Sequence, residues 1–224
     1  PASLETALAE VLAATGGGLD ALFSNAGYGQ VGAVEDLTRA ALREQFDTNL
    51  FGAVELANRI IPVMRRQGHG RIVFNSSVLG YAAFPYRGAY TASKFAMEGL
   101  CDTLRQELAP ANIQVCLVEP GPIVSRFREN CLPAFERHID WRHSVHRAQY
   151  ESQLARLNKP GPAAPFTLGP EAVTDKLLHA LESDRARPRY YVTFPTYLFG
   201  TLKRLLPTRG LDWVLRRVSG SGSR

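Results

Sequence analysis

The chain has 224 residues, of which 45% are hydrophobic and 21% are charged, and its formal net charge is +5. This length and composition favour one compact globular domain over residues 1–224. The basic excess is local, because from Arg185 onward the sequence has nine Lys or Arg and one acid, Asp212, whereas the preceding part is net acidic. We therefore do not expect the main body to bind nucleic acid.

Three cysteines, Cys101, Cys116 and Cys131, show no metal-ligand spacing, and the first two lie in apolar segments. This usage favours reduced, buried thiols, so we expect a cytoplasmic protein without a metal site. The sequence contains no apolar run long enough to span a bilayer.

Residues 3–14 have apolar side chains at helical spacing, and Ser3 is the predicted N-cap. The glycine run at 15–18 is expected to be the turn that ends this helix, because a phosphate-binding glycine loop follows a strand and opens a helix. A strand is predicted over 19–24, ending in Asn25-Ala26-Gly27. Small residues at a strand end admit a ligand, although by themselves they are better explained as a simple turn.

A long helix is predicted from Thr38, with an apolar stripe that reaches Met64. Asn49 lies beside that stripe. A buried amide must find hydrogen-bond partners, so Asn49 either is a satisfied core residue or holds a water at a site. The residues alone favour the core interpretation.

The central stretch is a short apolar run, residues 72–74, that delivers Ser77, followed by Tyr90 and Lys94 on a helix predicted from about 90 to 108. Residues at i and i+4 share a helix face. A nearby ammonium favours a phenolate and lowers the phenol pKa, which is ordinarily about 10. The three side chains could hold a carbonyl or an alcohol and pass it a proton, although Tyr-x-x-x-Lys alone occurs by chance in many helices.

The same helix carries apolar residues that are expected to form one buried face: Phe95, Met97, Leu100, Leu104 and Leu108. A buried parallel strand is predicted over 113–118, and it runs into a rigid turn, Pro120-Gly121, where a ligand could approach.

Residues 126–165 are polar and poorly periodic, and we expect them to form an insertion that acts as a lid over the site. Within it, His143 and His146 are expected on a solvated face, since no further metal ligands accompany them. A helix over 170–183 and a strand from Arg189 to Phe194 are predicted next. The basic amphipathic tail, residues 196–224, is expected to pack on a partner subunit or over a pocket, with contact to an anionic membrane surface as the less favoured alternative.

These features together resemble the short-chain dehydrogenase/reductase family, in its compact single-domain branch. The matching positions occur in order: Asn25-Ala26-Gly27, Asn49, Ser77, Tyr90 with Lys94, and Pro120-Gly121. The pattern is most similar to hydroxysteroid and retinol dehydrogenases. The resemblance implies an α/β fold with a Rossmann-type doubly wound parallel sheet. It also implies an oxidoreductase that interconverts an alcohol and a ketone or aldehyde with NAD or NADP.

The resemblance assigns a role to each catalytic position. Tyr90 is the general acid/base, Lys94 lowers its pKa and hydrogen-bonds the nicotinamide ribose, and Ser77 orients the substrate oxygen. Asn49 holds a water in a proton relay, which reverses the core interpretation made from the residues alone.

The resemblance also assigns the cofactor contacts. Asn25-Ala26-Gly27 lies against the cofactor, while Pro120-Gly121 and Ile123 border the nicotinamide. Ser125 stands where the family often has a threonine for the carboxamide, and it keeps the hydroxyl. Ser24 replaces a common asparagine, which affects one strand hydrogen bond. The expected partners are a small-molecule substrate, lipophilic in character, and a second copy of the chain in a homo-oligomer.

One departure from the family is large. The family begins with two strand–helix units, including a glycine-rich turn and the residue that separates NAD from NADP, and neither is present in residues 1–224. The resemblance therefore implies an amino-terminally truncated chain whose strand at 19–24 is an exposed edge. The alternative function is a catalytically incompetent scaffold or partner-binding module, and an in-frame glycine-rich segment upstream would distinguish the two.

We predict that a chain of residues 1–224 alone binds NADPH or NADH weakly or not at all, because the cofactor pyrophosphate would lack the helix N-terminus that holds it. Isothermal titration calorimetry with either dinucleotide measures this directly. Micromolar binding to this chain would contradict the prediction.

Overall fold

The protein forms a parallel four-stranded sheet in a computed structural model that describes residues 2–219. The strands are β1 (Ala21–Ser24), β2 (Gly70–Asn75), β3 (Ile113–Glu119) and β4 (Arg189–Tyr191), in the spatial order β1-β2-β3-β4. The register places Ala21 opposite Arg71, Gly70 opposite Ile113, and Leu117 opposite Arg189. All four strands therefore end at the same edge of the sheet.

Helices cover both faces of the sheet. They are α1 (Ala2–Ala14), α2 (Arg39–Phe46), α3 (Gly52–Gln67), α4 (Gly88–Leu108), α5 (Phe127–His138), α6 (Arg147–Asn158), α7 (Glu171–Glu182), α8 (Phe194–Leu205) and α9 (Thr208–Val218).

The alternation of side chains along the strands builds two cores. Ile72 and Phe74 of β2 pack with α3 and α4 on one face, while Val73 between them packs with α7 on the other. Successive strand residues point to opposite faces, so a continuous apolar run is what a sheet covered on both sides requires. The predicted α/β, doubly wound parallel sheet is confirmed.

The first glycine run ends a helix, as predicted. Gly16 and Gly17 have φ values of +68° and +90°, and the Gly17 amide donates to the carbonyl of Leu12 at 2.7 Å. The N-cap prediction for Ser3 is wrong, because α1 already includes that residue.

The predicted long helix from Thr38 is three segments. The Thr38 hydroxyl accepts from the amide of Ala41 at 3.1 Å and caps α2. A π-helical segment, Asp47–Phe51, then joins α2 to α3. Such single-turn bulges are rare and occur often at functional sites.

Two predictions in the second half of the chain need correction. Phe95 and Leu100 of α4 are not on its buried face, since they are 37% and 44% exposed. The strand predicted from Arg189 to Phe194 ends at Tyr191, because Phe194 opens α8.

The tail packs on its own chain. Phe199 of α8 and Leu215 of α9 are buried against Val78 and Leu79, the residues that directly follow Ser77. Packing of the tail on a partner subunit, over a pocket or on a membrane surface stays a prediction. None of the helices within residues 2–219 is both long enough and apolar enough to cross a bilayer.

Candidate active site

The predicted site residues converge at the carboxyl edge of the sheet. Asn25 follows β1, Ser77 follows β2 by two residues, and Pro120 directly follows β3. Tyr90 and Lys94 lie in the first two turns of α4. Ligands of open parallel sheets bind at this edge.

Tyr90 and Lys94 face the same cleft. The Lys94 ammonium lies 5.6 Å from the centroid of the Tyr90 ring. Lys94 is only 4% exposed, and its Nζ donates to the carbonyl oxygen of Asn75, at the end of β2, at 2.6 Å. The lysine is therefore held in place by the strand that delivers Ser77.

The pKa of Tyr90 departs from the expectation. Burial raises the pKa of the phenol, and the Ser77 hydroxyl beside it acts in the opposite direction. Lys94 was expected to lower the pKa of Tyr90, but burial has the larger effect and raises this pKa. Burial also lowers the pKa of Lys94 to about 8, because an ammonium loses hydration there.

Asn49 lies in the π-helical segment and is fully buried. Its Oδ1 accepts from the amide of Tyr28 at 3.0 Å, and its Nδ2 donates to the Tyr28 carbonyl at 2.9 Å and to the Ser93 hydroxyl at 3.3 Å. The amide thus clamps the chain that follows β1 onto α4, as the core interpretation predicts. Its role in a water relay stays a prediction.

The segment Asn25-Ala26-Gly27 is exposed at the sheet edge. The Asn75 amide Nδ2 donates to Asn25 Oδ1 at 2.6 Å, but Asn75 Oδ1 is buried and accepts no hydrogen bond. An unpaired buried carbonyl is costly. A ribose hydroxyl would satisfy it beside Lys94, so these residues fit the nicotinamide half of a dinucleotide.

The turn Pro120-Gly121, which follows β3, lies on the opposite side of the site from Asn25-Ala26-Gly27. A Cβ on Gly121 would lie 2.1 Å from the hydroxyl oxygen of Thr193, so only glycine fits this close approach. Ile123 forms an isolated bridge with Leu168. The Ser125 hydroxyl accepts from the amide of Phe127 at 3.4 Å, near the start of α5. The cofactor contacts assigned to these residues stay predictions.

Residues 126–165, predicted to form a lid and called the lid region below, contain α5 and α6 and pack on the body. Their action as a lid stays a prediction. The fully buried Tyr150 donates to Asp36 Oδ2 at 2.6 Å, and its phenol accepts from the amide of Ala33 at 2.8 Å. Ser144 donates to the same Asp36 oxygen at 2.7 Å. Buried polar contacts of this kind orient the lid.

His143 and His146 were predicted to lie on a solvated face, which is correct for His143 and wrong for His146. His143 is exposed and contacts Asp140 at 2.8 Å. His146 instead bonds Glu35 and lies 3.4 Å from the phenol oxygen of Tyr86, in a partly buried network. Among residues 2–219 no group of three or more acidic, histidine or cysteine side chains could hold a metal ion.

Sequence reasoning missed a buried charge cluster beneath the site. Glu98 Oε1 accepts from the Ser76 hydroxyl at 2.5 Å. Arg189 of β4 donates through Nη2 to Glu98 Oε2 at 3.1 Å and to Asp102 Oδ2 at 2.7 Å. Its Nε lies 3.2 Å from Glu119 Oε1. The available signal was the i, i+4 spacing of Lys94 and Glu98 on the buried face of α4.

Glu119 is fully buried, and neither of its carboxyl oxygens accepts a hydrogen bond within the described part of the chain. Burial and the nearby Glu98 carboxylate raise the pKa of Glu119 to about 9, against the opposing effect of Arg189. Two carboxyl groups that share one site cannot both ionise easily. The pair therefore holds a proton at neutral pH.

Comparison with known proteins agrees with this geometry. A family model described as short chain dehydrogenase matches residues 1–134. The uncharacterized oxidoreductase YbbO of Escherichia coli strain K12 is 44% identical over 216 residues, covering 96% of this chain and 74% of that protein. Retinol dehydrogenase 8 of Bos taurus is 47% identical over 117 residues, covering 52% of this chain and 38% of that protein.

A solved structure shares the fold. The short chain dehydrogenase from Mycobacterium paratuberculosis bound to NAD has a TM-score of 0.68 at 25% identity, covering 87% of this chain and 70% of that chain. The chain belongs to the short-chain dehydrogenase/reductase family. It is an oxidoreductase of the NAD(P)-dependent dehydrogenase/reductase class, which confirms the predicted family and the cofactor class NAD or NADP.

We predict that Glu119→Gln flattens the pH dependence of the free energy of unfolding. The folded-state pKa of Glu119 is raised from 4.5 to about 9. Between these values the unfolded chain has lost a proton that the native state keeps, so stability falls as pH rises. Glutamine removes this contribution.

Chemical denaturation from about pH 5 to about pH 9 measures this effect. Glu136→Gln, at an exposed position of α5, is the matched control and should keep the wild-type slope. Identical slopes for Glu119→Gln and wild type would contradict a protonated Glu119.

Proposed function

We propose that the protein interconverts a lipophilic alcohol and the corresponding ketone or aldehyde, with Tyr90 as the general acid/base. The observation that carries the proposal is the shared position of Tyr90 and Lys94 on one face of α4, beside Ser77 at the end of β2. The Lys94 hydrogen bond to the Asn75 carbonyl holds this arrangement.

The chemistry divides between cofactor and protein. A bound nicotinamide supplies or accepts the hydride. Asn25-Ala26-Gly27, Lys94, Pro120-Gly121, Ile123 and Ser125 are the residues that would hold its nicotinamide half. Ser77 donates to the substrate oxygen and orients it, as part of the same proposal.

In the reductive direction Tyr90 Oη gives its proton to the substrate carbonyl oxygen. A phenol whose pKa is raised by burial is protonated at neutral pH and is ready to donate. The phenolate that remains is stabilised by the nearby Lys94 ammonium, which is charged below its pKa of about 8. In this scheme Asn49 holds a water through which a replacement proton reaches Tyr90.

Exposed apolar side chains support a lipophilic substrate. Phe166 and Phe194 are 59% and 54% exposed, and their ring centroids are 4.9 Å apart. Phe127 of the lid lies 5.3 Å from the Tyr90 ring. Exposed apolar surface of this kind is typical of sites that bind apolar ligands.

We predict that Tyr90→Phe in the complete gene product lowers kcat for decanal reduction by roughly a hundredfold or more, since it removes the proton donor but keeps the ring. Tyr197→Phe, at an exposed tyrosine of α8, is the control. Turnover by Tyr90→Phe at the wild-type rate would refute the role of Tyr90. A wild-type protein that turns over no alcohol or carbonyl compound would favour the scaffold alternative.

We also propose that the protein is a homo-oligomer through the outer face of α3 and α4. The groove between these helices is lined by apolar residues that include Val54, Leu100 and Leu104, and Leu100 is 44% exposed. Leu100→Glu should shift the protein to monomer, because a charge would be buried at the contact. Sedimentation velocity measures the change, and an unchanged assembly state would exclude this face.

A further inference from the structure

Two arginines lie where α6 of the lid region meets the start of α4. Arg87 directly precedes α4, three residues before Tyr90, and its Nη2 donates to Gln153 Oε1 of α6 at 3.2 Å. Arg156 follows Gln153 by three residues and so lies on the same face of α6. Arg87 and Arg156 are both half-buried.

Neither arginine is neutralised by the protein. Across residues 2–219, no carboxylate lies within ion-pair distance of Arg87 or Arg156. Two acidic residues of the lid region are paired elsewhere, Glu129 with Arg126 and Glu151 with Arg147, each at 3.2 Å. Charged side chains in partly buried positions are normally paired.

The two arginines are instead close to other cations. Burial and the charge of Arg156 lower the pKa of Arg87 to about 10. Burial and Arg128 likewise lower the pKa of Arg156. Arg128 is already committed, because its Nη1 donates to the carbonyls of Arg156 at 3.0 Å and Lys159 at 2.6 Å. Arg87 and Arg156 therefore have donors and positive charge available to an incoming anion.

Residues of α5 lie close to both the arginines and Tyr90. Phe127 contacts the Tyr90 ring, and Cys131 lies one helical turn further along α5. A Cβ on Gly29 would lie 3.1 Å from the Cys131 sulfur and 2.9 Å from Phe127 Cζ. The Cys131 thiol is close enough to Arg87, Arg156 and Tyr90 to interact electrostatically with all three.

We propose that Arg87 and Arg156 form an anion subsite that binds a carboxylate of the substrate. Guanidinium groups bind carboxylates through paired, charge-assisted hydrogen bonds. The subsite rests on the proposed alcohol–carbonyl function and narrows its substrate class to lipophilic oxo or hydroxy acids. A chain that reaches from the carboxylate past Phe127 would present its carbonyl to Tyr90.

The first experiment compares ω-oxononanoate with its methyl ester as substrates of the complete gene product. We expect kcat/KM to be roughly tenfold or more higher for the acid, since each charge-assisted hydrogen bond contributes a factor of about that size. Arg87→Gln and Arg156→Gln should lose the preference for the acid and keep turnover of the ester. Arg147→Gln, at an exposed and paired arginine of α6, should behave as wild type.

Equal kcat/KM for acid and ester in the wild-type protein would overturn the subsite without reference to any variant. A preference that survives in both Arg87→Gln and Arg156→Gln would overturn it as well. These outcomes leave the alcohol–carbonyl function intact, because the ester reports that activity independently.

A binding measurement decides the case in which neither compound is turned over. Decanoate should raise the melting temperature more than 1-decanol does, and the difference should vanish in Arg87→Gln, since a ligand stabilises the state that it binds. A shift with inorganic phosphate but none with decanoate would mean an adventitious ion only and would overturn the proposal.

Discussion

The carboxyl ends of β2 and β3 are held against α4 by a buried cluster with more carboxyl groups than cations. Arg189 reaches from β4 to Glu98, Asp102 and Glu119, and Glu98 in turn accepts from Ser76. Ser76 precedes Ser77, and Glu119 precedes Pro120, so one guanidinium links both strand exits that carry site residues. Buried ion clusters add little net stability compared with apolar packing, but they penalise any geometry that breaks them. The placement of the site depends on this constraint.

The proton held by Glu98 and Glu119 follows from the same cluster. Glu119 is fully buried, and its ionisation beside Glu98 would place two carboxylates next to Arg189, which also pairs with Asp102. Glu119 therefore stays protonated at neutral pH. Lys94 lies one turn before Glu98 on α4, and the carboxylate of Glu98 favours the charged form of the lysine. A carboxylate beneath the catalytic face, that of Glu98, thus affects the charge state of Lys94.

The lid has a different electrostatic character. Its contacts to the body include the hydrogen bonds that Tyr150 and Ser144 donate to Asp36, which help to orient the lid region. Within residues 2–219, Arg156 of the lid region and the neighbouring Arg87 make no ion pair. The proposed anion subsite combines these two cations with the apolar ring of Phe127, which suits a molecule with an apolar chain and an anionic end.

Much of the fold follows from local pattern. The run Ile72-Val73-Phe74 is apolar throughout because both of its faces are covered, and Thr38 caps α2 through its own hydroxyl. The lid was less predictable. Its two helices have weak periodicity, because much of their stabilisation comes from buried polar contacts to residues over a hundred positions away, such as Tyr150 to Asp36.

The sequence by itself determined the chemistry available: Ser77 at a strand end, Tyr90 and Lys94 at i and i+4, and glycines at turns that other residues cannot adopt. These features depend on local spacing and on intrinsic side-chain properties. Only the tertiary structure decided that burial raises the pKa of Tyr90, that Asn49 clamps Tyr28, and that Arg189 joins Glu98 to Glu119. Desolvation and charge pairing depend on which residues, distant in sequence, come into contact in the fold. Local spacing in the sequence does not indicate those contacts.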